Sequence, residues 1–557
     1  MSDISGDTFG QGSKLSFSFG TRPAERKKYK SILWYAADLG GPALDENVTS
    51  DSRDNLLPGL AAVAAFSVPN LLGSEPQFLH VNIRPQSLKD FAPGALAGAV
   101  PAVAAGLELR RRAANGETRE ALRGDFKNFE HLLAEVIAVT PTNDRAEKAK
   151  AADLDRLFSM LDTGDAASGS PTGGANGVDR LLARQIALIC EAAELRRLEA
   201  AWRSLSLLLL ACDSRSGIAL RVIAAPAETL AENVMAAMKA CHANDTSFPE
   251  AVIFAESLDP RGEQRKTLGA LAGAAAEASV PIIVDSPSDL FGRAATELAA
   301  MSDPGALLAG TGWEAWEGLR QKEEARWLGY GWNRPWLRDA HDLTQDRVLR
   351  FAAGTNTVGA PLAGSAAAVI GAMIAASLVR HGWPSEILVA GGVEVSGPVV
   401  IERAITASRR AALPLEAGLN TDQIGSLADA GLIALAARPD RDAIFLPLAQ
   451  SVKRAGRIDG DSQLARHFAS LPYALAAGRI ARTVLHLHEA VSAAADPADM
   501  LRAAITDLID DTGPGAAVET SVEADPDDPG QRLINLHLVF GRNVLKGATL
   551  DMALPLG

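Results

Sequence analysis

The sequence is poor in cysteine and in aromatic residues, and lysine and arginine form no extended stripe along it. Three cysteines in 557 residues cannot form a disulfide framework, so we expect a reducing compartment. Acidic residues outnumber lysine and arginine by 68 to 54, and the net charge of −14 argues against a nucleic acid partner. Residues 1–13 are polar and rich in Gly and Ser, without a basic segment followed by an apolar one, so no secretory signal is expected.

Motifs of catalysis and cofactor binding are missing as well. No glycine-rich loop ends in Lys-Ser/Thr, and residues 171–177 carry glycines without a preceding strand or a lysine. The glycine spacing of residues 310–318 does not fit a dinucleotide loop, and no Gly-x-Ser-x-Gly motif occurs. His486, His488 and Glu489 form the single histidine cluster, but on a helix only His486 and Glu489 share a face. Two ligands do not make a structural zinc site, so we expect no catalytic residue, no cofactor and no metal.

One carboxylate keeps an enzymatic interpretation open. Asp285 ends an apolar run, at the place where α/β enzymes often carry a catalytic acid. The competing interpretation is a turn residue at the start of residues 285–289. Because no phosphate-binding loop accompanies Asp285, the sequence favours the turn.

A long uncharged run raises the question of a membrane span. Residues 351–379 contain no charged residue and are long enough to cross a bilayer. Many of the apolar positions are alanine, however, and Pro361 divides the run. We therefore expect a buried, small-residue helix over 362–379 and no membrane insertion.

The chain divides into a first region, 14–115, a connecting segment, 116–177, and a third region, 178–557, behind a disordered stretch at 1–13. In the first region, period-2 alternation predicts a strand over 14–19, and apolar runs predict strands at 31–37 and 78–83. A helix is expected over 93–112, with Asp90 in position to cap it.

The connecting segment has helical spacing over 122–138 and a Gly/Ser/Ala-rich linker at 163–177. The third region alternates helices and strands, which predicts an α/β (α+β) fold with mixed sheets flanked by helices. The helices are expected at 178–211, 265–278, 362–380 and 463–490, and the strands at 218–224, 252–255, 281–284, 533–540 and 549–554.

Tryptophan and arginine are concentrated in one stretch of the third region. The tryptophans are Trp313, Trp316, Trp327, Trp332 and Trp336, among the arginines Arg320, Arg326, Arg334 and Arg338. Such a mixture is typical of core packing, of protein interfaces and of ligand stacking. Core packing is favoured, with an interface as the main alternative.

Short motifs follow one another across residues 178–557. Their positions are Leu198, Glu199, Trp202, Trp316, Arg320, Arg334, Arg338, Trp383, Pro472 and Tyr473. In this order they resemble the Leu-Glu-x-x-Trp helix, the Trp-x-x-Phe-Arg and Pro-Arg-Phe-Leu-x-Arg stretches, the Gly-Trp segment and the Leu-Pro-Tyr helix of one family. That family is the large subunit of the type VI secretion contractile sheath (TssC/VipB).

The first region resembles the small sheath subunit (TssB/VipA). Asp90, Phe91 and Pro93 lie between a strand at 79–83 and a helix at 101–110, as in the small subunit's strand, Asp-Phe-x-Pro turn and Leu-x-x-Leu-Arg helix. Two subunits that are ordinarily separate proteins are thus expected to be joined in one chain.

Two departures from the family pattern stand out. Leu319 replaces the Phe of Trp-x-x-Phe-Arg, and residues 339–342 replace the family's continuation after Arg338. The large subunit also carries an N-terminal helix that a recycling AAA+ ATPase grips. In this chain the corresponding position is internal, within 116–160, and no clear equivalent is identified, which argues against that ATPase as a partner.

The resemblance implies a structural protomer that polymerises into a helical tube around an Hcp-like inner tube. It also implies baseplate components as partners, a cytoplasmic location docked to an envelope-attached baseplate, and contraction that drives effector delivery. We expect the terminal strands to be exchanged between subunits, since unpaired strand edges invite another chain. The apolar residues of these strands are Leu15, Phe17, Phe19, Ile534, Leu536, Leu538 and Phe540.

Other interpretations of the sequence stay open. Either terminal strand could be an ordinary edge strand of its own domain. The chain could also be a sheath-like scaffold or baseplate component that does not polymerise. The third alternative is the α/β enzyme that uses Asp285.

Overall fold

The computed structural model describes most of the chain in fifteen stretches. They are residues 13–17, 31–48, 57–136, 175–212, 217–243, 248–343, 346, 348–349, 351, 357–388, 399–403, 414–437, 443–456, 462–524 and 532–556. The disordered stretch predicted at 1–13 and the linker predicted at 163–177 lie almost wholly outside these residues.

Strands and helices alternate through the described residues. The strands are β1 (Ser13–Phe17), β2 (Ser31–Ala37), β3 (Leu44–Val48), β4 (Ala64–Pro69), β5 (Phe78–Ile83), β6 (Ile218–Ala224), β7 (Ala251–Ser257), β8 (Ile282–Asp285), β9 (Leu328–Trp332), β10 (Trp336–Arg338), β11 (His341–Asp342), β12 (Thr357–Val358), β13 (Leu362–Ala363), β14 (Val399–Arg403), β15 (Ile433–Ala434), β16 (Ala436–Ala437), β17 (Ala443–Phe445), β18 (Ala517–Ala524), β19 (Arg532–Val539) and β20 (Thr549–Leu556).

The α-helices flank these strands. They are α1 (Pro93–Ala99), α2 (Pro101–Ala114), α3 (Arg119–Asp125), α4 (Glu130–Glu135), α5 (Ala175–Cys190), α6 (Ala193–Ala211), α7 (Ala227–Ala243), α8 (Gln264–Ala278), α9 (Ala295–Leu298), α10 (Glu314–Arg320), α11 (Ala366–His381), α12 (Thr421–Asp429), α13 (Ser462–Phe468), α14 (Leu471–Ser492) and α15 (Pro497–Ile509). The predicted α/β class is confirmed.

A seven-stranded mixed sheet forms the centre of the molecule. Its strand order is β15-β9-β8-β7-β2-β6-β3, and every neighbouring pair is parallel except β3 with β6. Strand β2 belongs to the first region of the sequence, yet it lies between β6 and β7 of the third region. Leu33 is paired with Leu220 on one side and with Ala251 on the other. One sheet is therefore built from both regions.

The side chains of β2 enter two hydrophobic cores, one on each face of the sheet. Leu33 and Tyr35 lie in the core that contains α6 and α11, and the Tyr35 hydroxyl donates to the Ala201 carbonyl at 3.1 Å. Trp34 and Ala36 lie in the opposite core, with α7 and α8. A strand that is buried on both faces needs an almost continuous apolar sequence, which explains why β2 does not alternate.

Helix α11 is the small-residue helix that the uncharged run predicts. The Ser365 hydroxyl accepts the Ala368 N–H at 2.9 Å at its start, and Gly382, with φ of +71°, ends it. Gly371 faces β7, where a Cβ would lie 2.7 Å from Ile253 Cγ1. The missing side chain lets the helix pack closely on the sheet. Within the described residues, no helix is long and apolar enough to cross a membrane.

The C-terminal part of the chain forms a third core. Strands β18, β19 and β20 make an antiparallel sheet that packs on α14 and α15. The Glu250 carboxylate, at the start of β7, ties α14 to the central sheet: it accepts from Arg482 at 2.9 Å, from Arg479 and from the Ser31 hydroxyl at 3.3 Å. Glu250 is a buried carboxylate that the sequence did not single out.

Four predicted helices are each divided in two. The 93–112 helix breaks before Pro101, whose ring and missing N–H suit the first turn of α2 and not a helix interior. The 178–211 helix breaks at residues 191–192, the 463–490 helix at 469–470, where Ser470 caps α14, and the 122–138 helix at 126–129.

Two local expectations are also wrong. The Asp90 carboxylate does not cap α1; it accepts the N–H groups of Gln86 at 2.7 Å and Ser87 at 2.8 Å in the preceding turn. The predicted linker at 163–177 overlaps α5, which begins at Ala175.

The close contact of α11 with the sheet predicts opposite effects for two glycine substitutions. Gly371→Ala should lower the free energy of unfolding by up to about 2 kcal/mol, because overpacking costs about 1–3 kcal/mol and the gain in helix propensity is about 1 kcal/mol. Gly273→Ala is the control in α8, where a Cβ meets nothing within 4 Å, and should be neutral or stabilising. Chemical denaturation measures the free energy of unfolding of both variants. A change in the same direction for both would contradict the close contact of Gly371 with β7.

Candidate functional site

The N-terminal strand β1 lies at the edge of a four-stranded sheet with the order β1-β14-β17-β16. It pairs antiparallel with β14, so that Leu15 is opposite Ile401 and Phe17 is opposite Val399. Phe19 lies outside the described residues. Strand β14 was not predicted: its apolar residues Val399, Val400 and Ile401 are consecutive and do not alternate with polar residues as those of β1 do. Among the described residues no strand pairs with the outer edge of β1.

The C-terminal strand β19 has a different environment. It is the central strand of its sheet, with eight residue pairs to β18 on one side and eight to β20 on the other. Its apolar residues are buried against α14 and α15: Ile534, Leu536, Leu538 and, just after the strand, Phe540. In this conformation β19 is thus not a free strand. A neighbouring chain could reach only the outer edges of β18 and β20.

The small-subunit motif packs directly on the large-subunit motif. Phe91 is buried and meets the Trp202 ring edge to face, with centroids 5.6 Å apart. Pro93 starts α1. Trp202 donates its indole N–H to the Leu39 carbonyl at 3.1 Å, and Leu198 lies in the same core. These residues therefore join the two sequence regions across one core.

Glu199 forms a buried ion-pair network. Its carboxylate accepts two hydrogen bonds from Arg338, at 2.8 and 2.9 Å, and one from Arg203 at 2.9 Å. Burial alone would raise the pKa of Glu199, but the Arg338 hydrogen bond and the two positive charges hold that pKa below its ordinary value. The network joins α6 to β10, so two motifs that are far apart in sequence are parts of one structural unit.

The tryptophan and arginine cluster is mostly core. Trp316 donates its indole N–H to the Ala430 carbonyl at 3.1 Å, and Arg320 donates to the carbonyls of Val452 and Asp429. Among the other tryptophans, Trp313 and Trp332 are also buried, and Trp327 packs against the same core. Core packing, the favoured interpretation, accounts for these positions.

The remaining family-motif residues also make contacts within the chain. Arg334 forms a bidentate ion pair with Glu416, at 2.7 and 2.9 Å. Trp383 is buried against Phe540, and its face lies 5.1 Å from the Arg479 guanidinium. Pro472 lies in the first turn of α14, and the Tyr473 hydroxyl donates to the Thr549 carbonyl at 3.3 Å. The motif thus ties the C-terminal core to the rest of the fold.

Asp285 lies at the carboxyl end of β8, beside the start of α11. Its Oδ1 accepts the Ala367 N–H at 2.8 Å, so the carboxylate binds the positive end of that helix. Burial raises the pKa of Asp285 to about 6, and burial raises the pKa of nearby Glu256 to about 7. Within the described residues, no group of three His, Cys, Asp or Glu side chains could hold a metal ion. The contact assigns Asp285 a part in positioning α11.

Replacing Asp285 should therefore be tolerated. The unfolded carboxyl group titrates near 3.8 and the folded one near 6, so the free energy of unfolding falls as the pH rises from about 3.8 to about 6 and stays at the lower value above that. Asp285→Asn keeps an oxygen acceptor for Ala367 and removes that cost. At pH 8 the free energy of unfolding of the variant should exceed that of the wild type by on the order of 1–3 kcal/mol, and the difference should shrink toward pH 5.

Chemical denaturation at both pH values measures this effect, with Asp289→Asn, at an exposed position, as the control. A variant less stable than the wild type at pH 8 would show that the ionised carboxylate stabilises the fold.

Replacing Glu199 should destabilise the protein, in contrast to replacing Asp285. Glu199→Gln leaves Arg338 and Arg203 buried without a counter-charge, which should cost about 3–5 kcal/mol in the free energy of unfolding. Glu277→Gln, on the exposed side of α8, should change it by less than about 0.5 kcal/mol. Urea unfolding compares the two variants; equal effects would mean that the network contributes no more than a surface carboxylate.

Two protein-family models match the chain. Residues 249–453 match the VipB family, described as the EvpB tail sheath N-terminal domain. Residues 45–149 match the VipA family of the type VI secretion system. No curated protein matches the chain significantly.

The matched ranges cover more than half of the sequence and follow the order of the two regions. The VipA match extends into the segment that the sequence assigned to a connection, and it begins after β2. The VipB match begins just before β7 and ends after β17. The resemblance to both families is confirmed: one chain carries a VipA-family region followed by a VipB-family region of the type VI secretion sheath, consistent with a fusion of the small and the large sheath subunit.

Proposed function

We propose that this chain is the structural protomer of a contractile type VI secretion sheath. In this proposal it polymerises into a helical tube around an Hcp-like inner tube, and contraction of the tube drives effector delivery. The partners are further copies of the chain, the inner tube protein and baseplate components, in the bacterial cytoplasm. The observation that carries the proposal is the presence of both sheath families in one fold, with β2 between β6 and β7.

The insertion of β2 suits a lattice subunit. Because the strand pairs on both sides and fills both cores, the two regions move as one body. A sheath that contracts must change the packing between subunits while each subunit stays intact. Interfaces between rigid bodies can switch between two discrete arrangements, which is the kind of change that stores and releases energy without bond chemistry.

Strand β1 is the proposed link between subunits. It pairs through five residues with β14 of its own chain, and residues 18–30 separate it from β2. The same five pairs can form with β14 of a neighbouring copy, because exchange of an identical element keeps every main-chain hydrogen bond. The link then survives a rotation of the two bodies. Strand β19 is less suited to link subunits, since both of its edges are already paired within the chain.

The non-polymerising scaffold is the alternative that an experiment must separate from this proposal. Negative-stain microscopy of the purified full chain, over a range of concentrations, distinguishes the two. The sheath protomer predicts long striated tubes. A discrete oligomer at every concentration would instead support the scaffold and contradict the sheath.

Removal of β1 tests the link itself. A chain that lacks residues 1–20 should keep a folded body but lose tube formation by at least about tenfold in pelleted protein, because the exchanged ladder is gone. The control lacks residues 1–12, retains β1 and should assemble like the full chain. Sedimentation and microscopy give both readouts; tubes of normal length without residues 1–20 would rule out this link.

A further inference from the structure

An apolar groove lies where the first region, the connecting segment and the third region meet, between the end of β4 and helices α4 and α5. Its volume is ≈ 840 Å³. The apolar side chains that line it are Pro69, Leu71, Ala134, Leu181, Ala187 and Leu188. His131, Glu135 and Arg184 stand among them with exposed side chains. Apolar grooves with a polar rim are typical sites for an amphipathic helix.

The walls of the groove are held in place by hydrogen bonds. The fully buried Gln185 accepts the Leu71 N–H at 2.7 Å and donates to the Pro69 carbonyl at 3.1 Å, which fixes the end of β4 against α5. On the other side, a ring nitrogen of His131 lies 3.2 Å from the Leu71 carbonyl oxygen. The groove is therefore formed before any occupant binds.

The chain leaves and re-enters the described structure at this groove. Helix α4 ends at Glu135 and α5 begins at Ala175, and the Glu135 side chain packs directly on Gly177. Residues 137–174 connect these two points and lie outside the described residues. Both ends of that segment are therefore next to the groove.

The sequence of that segment contains a helix-in-groove pattern. Leu154, Leu157, Phe158 and Leu161 follow the spacing i, i+3, i+4 and i+7, which places four apolar side chains on one helical face. Asp155 and Asp162 fall on the flank of that face. Of the two charged groups at the groove, Arg184 is complementary to these carboxylates and Glu135 is not, so the apolar face carries most of the argument.

We propose that residues 151–162 bind in this groove of the same chain as an amphipathic helix. About 18 residues separate Val136 from Leu154, and an extended chain spans roughly 3.3 Å per residue, so the segment reaches the groove easily. Because both ends are tethered there, the local concentration of the segment is on the order of millimolar. The apolar contact of Leu154, Phe158 and Leu161 with the groove then covers a surface that would otherwise face water.

Hydrogen exchange of the full chain tests the proposal. Amides of residues 151–162 should exchange at least about tenfold more slowly than those of 163–174. Phe158→Asp should abolish that protection, because a carboxylate does not enter an apolar groove. Ser159→Asp, the control, adds the same charge at a neighbouring position and should leave the protection of residues 151–162 unchanged. Leu188→Asp, on the groove side, should remove the protection in the same way as Phe158→Asp.

Each other outcome contradicts the proposal. Exchange of 151–162 as fast as 163–174 would mean that the segment is not bound. Protection that survives Phe158→Asp and Leu188→Asp would place the segment elsewhere, and protection that grows with protein concentration would assign the groove to a second copy. The measurement does not depend on tube formation, so it stays decisive whether or not the chain is a sheath protomer.

Discussion

The pairing of β2 with β6 and β7 is the interaction on which the other features of this fold depend. Ser31–Ala37 supplies seven residue pairs to β6 and four to β7, and five of its residues are buried. Burying a large apolar side chain contributes roughly 1.5–3 kcal/mol, so Leu33, Trp34 and Tyr35 alone make the strand costly to remove. Without β2 the sheet would divide into two parts, and both cores would be open to water.

The family-motif residues reinforce that insertion. Phe91 and Trp202 join the small-subunit-like helices to α6, and Glu199 with Arg338 joins α6 to the stretch after β9. Glu250 then links the sheet to α14 and the C-terminal core. Family-motif residues together with Glu250 thus hold the three cores in fixed relation. A fused chain of this kind always supplies the two subunits in equal number.

Local sequence patterns predict part of this structure well. Burial and periodicity were enough to predict three elements: the strand at 31–37 from its apolar run, the strand at 78–83 from its alternation, and the helix before Val379 from its small residues. The partner of β2 could not be predicted, because pairing in a parallel sheet depends on contacts more than 180 residues apart in sequence. The same holds for β19: alternation shows which face is buried, but not that strands occupy both edges. The helix break at residues 191–192 contains no proline or glycine, so tertiary packing and not the local sequence determines it.

The site residues divide in the same way. The motif positions were found by resemblance, whereas Glu250 and β14 act through partners that only the fold brings near.

A protease site inserted between residues 141 and 170 tests directly whether both regions form one body. After complete cleavage, the two fragments should co-elute in native gel filtration and unfold in a single transition. Fragments that separate without denaturant, each still folded, would show that the two regions are independent bodies.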